Sequence, residues 1–229
     1  LRSAAPHGRR WRVALPAVLG LEAHADVRAE VSEALGHPVF EVTGLPPSVP
    51  GLRLFSALRR RLLHTGGQIQ IGFPVVRVER RGRLVEAVHT EGASRTYRLA
   101  AERFVLATGG IAGGGLRATP DGGLEETVFG LPVTAPPRSE WFSPDLGPHP
   151  LEAAGIRTDQ HLRPVDAAGE PVLDNVHVAG SLLAGMRYLA ERCGDGVALA
   201  SAYRAAAEIA TRAGRVSSAP RYAPAEAVA

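Results

Sequence analysis

Three glycine-containing turns are the places in this sequence where backbone atoms could do chemistry. Two of them, at residues 108–110 and 180–181, each follow a short apolar run, and the third, at 194–196, precedes an Ala-rich segment. A glycine after a parallel strand lets a ligand approach main-chain N–H groups, and a helix amino end favours a phosphate. The turns therefore predict a site for a phosphate-bearing cofactor. The residues expected to line it are Thr108, Gly109, Gly110, Gly180, Ser181, Gly185, Gly194, Asp195, Gly196 and Val197.

An alternating order of strands and helices has to hold these turns in place. The uninterrupted apolar runs at residues 104–107 and 176–179 are typical of strands covered on both faces in a parallel sheet. The turn at 194–196 opens a helix predicted at residues 197–212 and capped by Gly214. This order favours an α/β fold in which the turns converge on one crevice.

Upstream of the first apolar run, the pattern predicts one strand and two helices. A buried strand that runs into a loop is expected at residues 11–19, and a short helix at 26–35 stops at Gly36. A second helix is predicted at residues 52–64. We expect this helix to pack on a sheet, because one of its faces carries the apolar residues Leu52, Phe55, Leu58 and Leu62.

Antiparallel strands are predicted between the second helix and the first apolar run. A short strand is expected at residues 68–71, and strands at 75–78 and 84–89 pair around a turn. Residues 97–99 continue the same meander.

The segment at residues 117–171 is rich in Pro, Gly and Asp and has little periodicity. It predicts long connections with one β-hairpin near residues 155–163.

Composition limits the possible classes of protein. With 229 residues and 45% hydrophobic content, the chain can bury a core of its own. The net charge is +3, but every basic side chain is an arginine and the arginines are scattered among acids, so we expect no nucleic-acid binding. His24, His37, His64 and His89 share no metal-ligand spacing, and no bound metal is expected.

The number of cysteines and the length of the apolar runs indicate the cellular environment of the chain. The single cysteine, Cys193, leaves no internal disulfide and fits a reducing compartment. No apolar run reaches the roughly 18 residues of a membrane span. The chain begins at Leu1 and its only methionine is Met186, so we expect an amino-terminal part to precede it.

Two stretches resemble the signatures of flavoproteins with two dinucleotide-binding domains. Residues 175–202, NVHVAGSLLAGMRYLAERCGDGVALASA, are similar to their carboxy-terminal flavin motif, and residues 104–110, FVLATGG, resemble their Ala-Thr-Gly turn. A longer similarity runs along nearly the whole chain and is to the B subunit family of anaerobic glycerol-3-phosphate dehydrogenases. It is carried by GLPPSVPGLRL at 44–54, by residues 104–133, by EWF at 140–142 and by GIRTDQHLRP at 155–164.

This resemblance implies a fold and a division into domains. The expected fold is α/β, an FAD/NAD(P)-binding Rossmann-like three-layer fold that lacks its amino-terminal part and carries a β-rich inserted region. Residues 1–103 would form a middle region with helices and antiparallel strands. Residues 104–215 would form the returning flavin-binding region, and 216–229 a flexible tail.

The resemblance also implies a function. The enzyme of this family oxidises sn-glycerol 3-phosphate to dihydroxyacetone phosphate and delivers electrons to quinone. Its B subunit is the flavin-containing member that transfers electrons, and for it we expect FMN, with FAD as the alternative. The partners would be two further subunits, one FAD-bearing and catalytic, the other an iron–sulfur protein. The chain would then be cytoplasmic and held at the inner face of the plasma membrane only through the complex, and no catalytic residue is assigned to it.

The sequence departs from the family pattern at two points. The Gly-x-Gly-x-x-Gly turn that cradles dinucleotide phosphates has no counterpart, which puts flavin binding by this chain alone in doubt. Many related flavoproteins have Asp or Glu where this chain has Ser181, a weaker partner that donates as well as accepts. We still place Ser181 near the flavin chain.

Five side chains have two interpretations each. Arg187 either stabilises a reduced flavin or lies on the surface. Cys193 should gain acidity at a helix amino end, although a packed thiol is favoured over a redox role. Asp195 either caps the helix or approaches the flavin ribityl group. Arg53 either contacts a phosphate or partner subunit or forms a structural salt bridge, which is the commoner case. For His177, a satisfied buried histidine is favoured over proton transfer.

Two other functions stay open. One is an FAD-dependent oxidoreductase of the fumarate reductase or ketosteroid dehydrogenase type, which needs a Tyr or Arg constellation in residues 117–171. Only Arg138 and Trp141 stand out there. The other is a scaffold subunit without a cofactor, a hypothesis that the serine at position 181 supports.

Overall fold

The computed structural model describes residues 11–44, 46–145, 147–213 and 222–224. The fold is mixed α/β, with several small sheets. It divides into two compact units, Leu1–Ile71 and Gly72–Ala229.

The first unit contains a pair of parallel strands and two helices. Strands β1 (Val13–Pro16) and β2 (Val39–Val42) pair in parallel around helix α1 (His24–Leu35). Gly36 ends α1 in the left-handed region at φ 67°, and its N–H donates to the Glu33 carbonyl at 3.1 Å. The predictions of the first strand, of α1 and of its end at Gly36 are confirmed. The predicted burial of the strand is wrong, because residues in β1 alternate between half-buried and exposed.

The second helix, α2 (Val49–His64), begins at a serine cap and has an exposed apolar face. The Ser48 hydroxyl accepts the Gly51 N–H at 3.2 Å. The expected packing of this helix on a sheet is wrong within the first unit, because the described strands β1 and β2 leave its apolar face exposed. Its predicted apolar positions are 42–58% exposed: Leu52, Phe55, Leu58 and Leu62.

The second unit opens with an antiparallel meander. Strands β3 (Val75–Arg81), β4 (Leu84–Glu91) and β5 (Thr96–Ala100) pair in sequence order, as predicted. The prediction of a strand at residues 68–71 is wrong. The backbone there is irregular and pairs with none of the described strands.

The end of the chain adds a strand to this meander. Strand β12 (Tyr222–Pro224) pairs antiparallel with β5. The rest of the tail that we expected to be flexible, and the predicted cap Gly214, lie outside the described residues.

The two apolar runs form a parallel pair. Strand β6 (Phe104–Leu106) lies beside β11 (Val176–Val178), as predicted. The prediction that both strands are covered on both faces is confirmed for β11, which is buried. It is wrong for β6, where Val105 is 48% exposed. The described part of the chain supplies no layer against that face of Val105.

The connection between these strands contains more regular structure than predicted. Strands β7 (Leu116–Ala118) and β8 (Leu124–Glu126) form a hairpin, and β9 (Val133–Thr134) pairs with β10 (Gly155–Ile156). Near the predicted hairpin, a single antiparallel bridge joins Thr158 to Pro164. These strands have two or three residues, too few to show an alternating pattern.

A 3-10 turn at Gly180–Leu182 and two α-helices follow β11. The short helix α3 (Tyr188–Glu191) was not predicted, and the final helix α4 (Gly194–Ala213) begins three residues before its predicted start. The glycines at 194 and 196 therefore lie in the first turn of α4 and not before it.

A buried asparagine ties the meander to the parallel pair above the apolar core of this unit. The core is centred on Ile156, Leu173, Val176 and Val178. The Asn175 amide oxygen accepts the Val85 N–H at 2.9 Å, and its amide nitrogen donates to the carbonyls of Val85 at 2.7 Å and Glu102 at 3.1 Å.

We predict that Asn175→Ala destabilises the chain by about 3 kcal/mol, because it leaves buried backbone groups of Val85 without partners. Chemical denaturation measures the loss. Gln160→Ala is the matched control, since it removes an exposed amide whose contact is a weak 3.4 Å one to His161, and it should cost under about 0.5 kcal/mol. Equal losses in both variants would contradict this role for Asn175.

Candidate functional site

The parallel pairing of β6 with β11 brings two of the predicted turns to one edge. Phe104 pairs with Val176 and Leu106 with Val178, and the Ala179 N–H donates to the Leu106 carbonyl at 3.0 Å. Because parallel strands end at the same edge of a sheet, the turns at 108–110 and 180–181 follow side by side.

A hydrogen bond joins these two turns directly. The Gly110 N–H donates to Ser181 Oγ at 3.1 Å. A Cβ at Gly110 would lie 2.9 Å from the Ser181 carbonyl oxygen, and one at Gly109 would lie 3.5 Å from Ser181 Oγ. The close approach of the two backbones therefore needs glycine at position 110.

The glycine-rich loop after β6 folds back on itself. The N–H groups of Gly113 and Gly115 donate to the Gly110 carbonyl at 3.2 and 3.1 Å. A Cβ at Gly115 would lie 2.0 Å from the Gly109 carbonyl oxygen. Tight packing within the loop thus accounts for glycine at position 115, without any ligand.

The second turn is held by the final helix. Gly180 has φ 74°, a conformation that favours glycine, and its N–H donates to Ser201 Oγ at 2.8 Å. The Ser201 hydroxyl in turn donates to the Val197 carbonyl at 2.6 Å, one turn earlier in α4. This buried serine links the end of β11 to the first turns of α4.

Two of the amides that we predicted to face a cofactor already have partners inside the protein. The N–H groups of Gly110 and Gly180 donate to serine hydroxyls. Space for a ligand remains next to Gly180, Gly185 and Gly196, where an added Cβ would meet no atom within 4 Å. The backbone at Gly180, Gly185 and Gly196 therefore has open space beside it. The N–H groups of Gly110 and Gly180 are not available to a ligand in this arrangement, because they hold the turns together.

The start of α4 shows the same contrast between packed and open positions. The ring of Tyr188 covers Gly194, and a Cβ at Gly194 would lie 2.6 Å from it. Asp195 and Gly196 are exposed in the first turn of the helix. This first turn carries the partial positive charge of the helix amino end.

Thr108 provides a buried polar atom at the edge where β6 ends. Its Oγ1 atom is buried and has no hydrogen-bond partner among the described residues. Such a hydroxyl calls for a partner, which a bound polar ligand or an ordered water can supply. This edge therefore combines a buried hydroxyl that has no partner among the described residues with open space at Gly180 and Gly196, and both features are compatible with a cofactor that carries polar and phosphate groups.

Comparison with known protein families indicates which cofactor to expect at this edge. A family model described as an FAD binding domain matches residues 2–197. The chain belongs to the FAD-binding domain family. The expectation of FMN has no support from this match, and FAD is the flavin that the family description names.

Curated relatives extend the similarity. The chain is 39% identical over 196 residues to the B subunit of a probable anaerobic glycerol-3-phosphate dehydrogenase from Halobacterium salinarum, covering 85% of this chain and 46% of the relative. The corresponding B subunit from Yersinia pestis is 37% identical over 202 residues, and that from Pectobacterium atrosepticum 38% over 199, each covering 86% of this chain and 46% of the relative. The chain thus spans about half the length of the curated relatives it matches.

Arg53, which we considered for a phosphate or partner contact, forms the structural salt bridge. Its guanidinium binds both carboxylate oxygens of Glu41, and its Nε donates to the Gly20 carbonyl at 2.7 Å. The hydrogen bond from Arg53 lowers the pKa of Glu41 to about 2.

Arg187 and His177 lie in contrasting surroundings. Arg187 is exposed at the start of α3, and its guanidinium donates no hydrogen bond to the described residues. His177 is fully buried in β11, and its Nδ1 lies 2.8 Å from the His161 carbonyl oxygen, the geometry of a donated bond. His177 therefore matches the favoured interpretation, a buried and hydrogen-bonded histidine.

Cys193 shows the opposite of the expected acidity. Its thiol donates to the Glu191 carboxylate at 3.3 Å, and this bond to a negative group raises the pKa of the thiol. The expectation of a more acidic thiol at the helix amino end is wrong, because the Glu191 carboxylate accepts the thiol proton in a hydrogen bond and disfavours the thiolate.

Metal and membrane features are absent from the described residues. No group of three or more His, Cys, Asp and Glu within them is arranged to hold a metal ion. Within the same residues, no helix combines the length and apolar character needed to cross a bilayer.

Sequence reasoning missed two residues that shape this unit. Ser201 gave no distinguishing signal, since a serine in an Ala-rich helix normally bonds only within its own helix. Glu126 is buried and accepts the N–H groups of Val128, Phe129 and Leu131 through its carboxylate, which fixes the loop after β8.

The raised pKa of Cys193 predicts slow alkylation. We expect Glu191→Gln to increase the rate of reaction with iodoacetamide at pH 8, because it removes the negative charge that disfavours the thiolate. Glu140→Gln is the control, since it removes a glutamate that has no bond to Cys193. An unchanged rate in Glu191→Gln, measured by mass spectrometry over time, would contradict this interpretation.

Proposed function

We propose that this chain is the carboxy-terminal half of an FAD-containing subunit of a quinone-linked glycerol-3-phosphate dehydrogenase. We further propose that the edge where β6 and β11 end is where the FAD lies. The observation that carries the proposal is the Gly110–Ser181 hydrogen bond, which joins two glycine turns at one sheet edge within the residues that the FAD binding domain model matches.

A Rossmann-like three-layer arrangement is the architecture we propose around this edge. Three features support it: β6 and β11 are parallel, α4 packs beside β11, and the exposed side chain of Val105 leaves room for a further layer. Parallel sheets are normally covered by helices on both faces. The short strands β7–β10, which lie between β6 and β11 in the sequence, would form the β-rich insertion.

The chain's own residues would position the cofactor. The open space at Gly180 and Gly196 would accept the body of the FAD, and the first turn of α4 would favour its phosphates. The Thr108 hydroxyl and the free donor capacity of Ser181 would supply polar contacts. Bound FAD supplies a carrier that accepts and releases two electrons.

The proposed function also implies partner subunits and a cellular location. The relatives' names support membership of a complex, since each is named as the B subunit of an anaerobic glycerol-3-phosphate dehydrogenase. We propose two partners: an FAD-bearing catalytic subunit, which oxidises sn-glycerol 3-phosphate to dihydroxyacetone phosphate, and an iron–sulfur subunit, which passes electrons to quinone. The complex would hold this chain at the cytoplasmic face of the plasma membrane.

A pair of glycine variants in the full-length protein tests the cofactor site. Gly180 at φ 74° and Gly169 at φ 88° both lie in the left-handed region with no atom within 4 Å of an added Cβ. Alanine at either position should cost about 1 kcal/mol of stability. Only Gly180→Ala should weaken FAD binding, by about tenfold, because its methyl group enters the proposed cofactor space.

Titration of the apoprotein with FAD, followed by flavin fluorescence, measures both variants. Equal FAD affinity in the two variants would remove Gly180 from the site, and a full-length protein that binds no flavin would favour the scaffold hypothesis.

Reconstitution with the catalytic and iron–sulfur subunits tests the reaction. Reduction of fumarate or dehydrogenation of a ketosteroid, without activity on glycerol 3-phosphate, would favour the other oxidoreductase class.

A further inference from the structure

A cavity lies in the Leu1–Ile71 unit, and none of the residues proposed for FAD lines it. Its volume is about 350 Å³, and it is bounded by one face of α1, by β2 and by the beginning of α2. Two arginines and one glutamate line it, so its net charge is positive. The lining residues are His24, Ala25, Arg28, Phe40, Glu41, Pro50 and Arg53.

An almost buried ion pair forms one wall of this cavity. The side chains of Glu41 and Arg53 are 8% and 15% exposed. Besides Arg53, the Glu41 carboxylate binds the Leu19 N–H at 2.7 Å and His24 Nε2 at 3.1 Å. A buried ion pair adds little stability compared with apolar residues of the same volume. Its more specific effect here is to fix the orientation of the Arg53 guanidinium.

The pair leaves donor capacity pointing away from Glu41. A guanidinium has five N–H groups. Nε donates to the Gly20 carbonyl, and Nη1 and Nη2 each give one bond to Glu41. Two N–H groups of Arg53 therefore have no partner among the described residues. The low pKa of Glu41, caused chiefly by Arg53, keeps the carboxylate charged and the pair intact at neutral pH.

A second cation and an apolar surface complete the cavity. Arg28 lies four residues after His24 on the same face of α1. Its guanidinium has no ion pair or hydrogen bond to the described residues. Phe40, which is half-exposed, and Pro50 provide an apolar wall. Two guanidinium groups beside a small apolar surface match a small anion that carries a short carbon chain.

We propose that this cavity binds the phosphate group of a small polyol phosphate monoester. Arg28 and the free N–H groups of Arg53 are its donors, and Phe40 and Pro50 contact its carbon atoms. The inference rests on the proposed function, which supplies glycerol 3-phosphate as the ligand class. It gives this chain its own contact with substrate or product, in addition to the oxidation assigned to the catalytic partner.

Isothermal titration of the full-length holoprotein tests this site with three probes. We expect sn-glycerol 3-phosphate to bind, inorganic phosphate to compete with it, and glycerol not to bind. Arg28→Ala should weaken glycerol 3-phosphate binding by about tenfold or more, because a charge-assisted bond is lost. Arg28→Lys should recover part of the affinity, since the charge returns without the fork.

Arg60→Ala is the matched control, because Arg60 is an exposed arginine of α2 that does not line the cavity. It should leave binding unchanged. Arg28 is itself exposed, so its variants should fold, and FAD content reports that they do. Binding of glycerol 3-phosphate that both Arg28→Ala and Arg53→Lys leave intact would overturn the proposal.

The two proposals fail in distinguishable ways. A holoprotein that contains FAD but binds neither glycerol 3-phosphate nor inorganic phosphate overturns the cavity proposal alone. A full-length protein that binds no FAD overturns the proposed function, whatever its affinity for phosphate.

Discussion

The parallel pairing of β6 with β11 is the constraint on which the candidate cofactor site depends. Its register runs from Phe104 opposite Val176 to Leu106 opposite Val178. Because side chains alternate along a strand, a shift by one residue would exchange the buried positions of Val176 and Val178 with that of His177, whose ring is bonded to the His161 carbonyl. The buried apolar set therefore fixes the register, and the register places the two glycine turns side by side. The Gly110–Ser181 bond then fixes the distance between them.

Serine hydroxyls give this edge its rigidity. Ser181 accepts from the first turn, while Ser201 accepts from the second turn and donates back into α4. The two glycine amides are thus satisfied without a ligand. A cofactor that enters the open space at Gly180 meets turns that are already ordered, so little conformational entropy is lost on binding. The family's FAD would be recognised by the shape of this edge and by the amino end of α4, as much as by individual amide bonds.

The sequence was sufficient where a single local signal determined the structure. Apolar runs identified β6 and β11, and Gly36 marked the end of α1, because these features depend on residues close in the chain. It failed where partners distant in sequence decide. The two-residue strands β9 and β10, for example, form only by pairing with each other. The acidity of Cys193 was misjudged for another reason: Glu191 is only two residues away, but its contact with the thiol depends on the backbone conformation after α3.

Burial and side-chain partners were the other weak points. The apolar face of α2 predicted packing, yet it is exposed in the described residues. Arg53 had two interpretations from sequence, and only the position of Glu41 shows that the salt bridge is formed. The motif resemblance to FAD-binding proteins, in contrast, was carried by the chain order of short glycine signatures, which the family match supports.

A crystal structure of the full-length protein with bound FAD would test the central claim most directly. We predict FAD atoms within about 4 Å of the backbone at Gly180 and Gly196, with the Gly110–Ser181 hydrogen bond retained. Bound FAD that contacts neither turn, or turns that separate at the ends of β6 and β11, would contradict it.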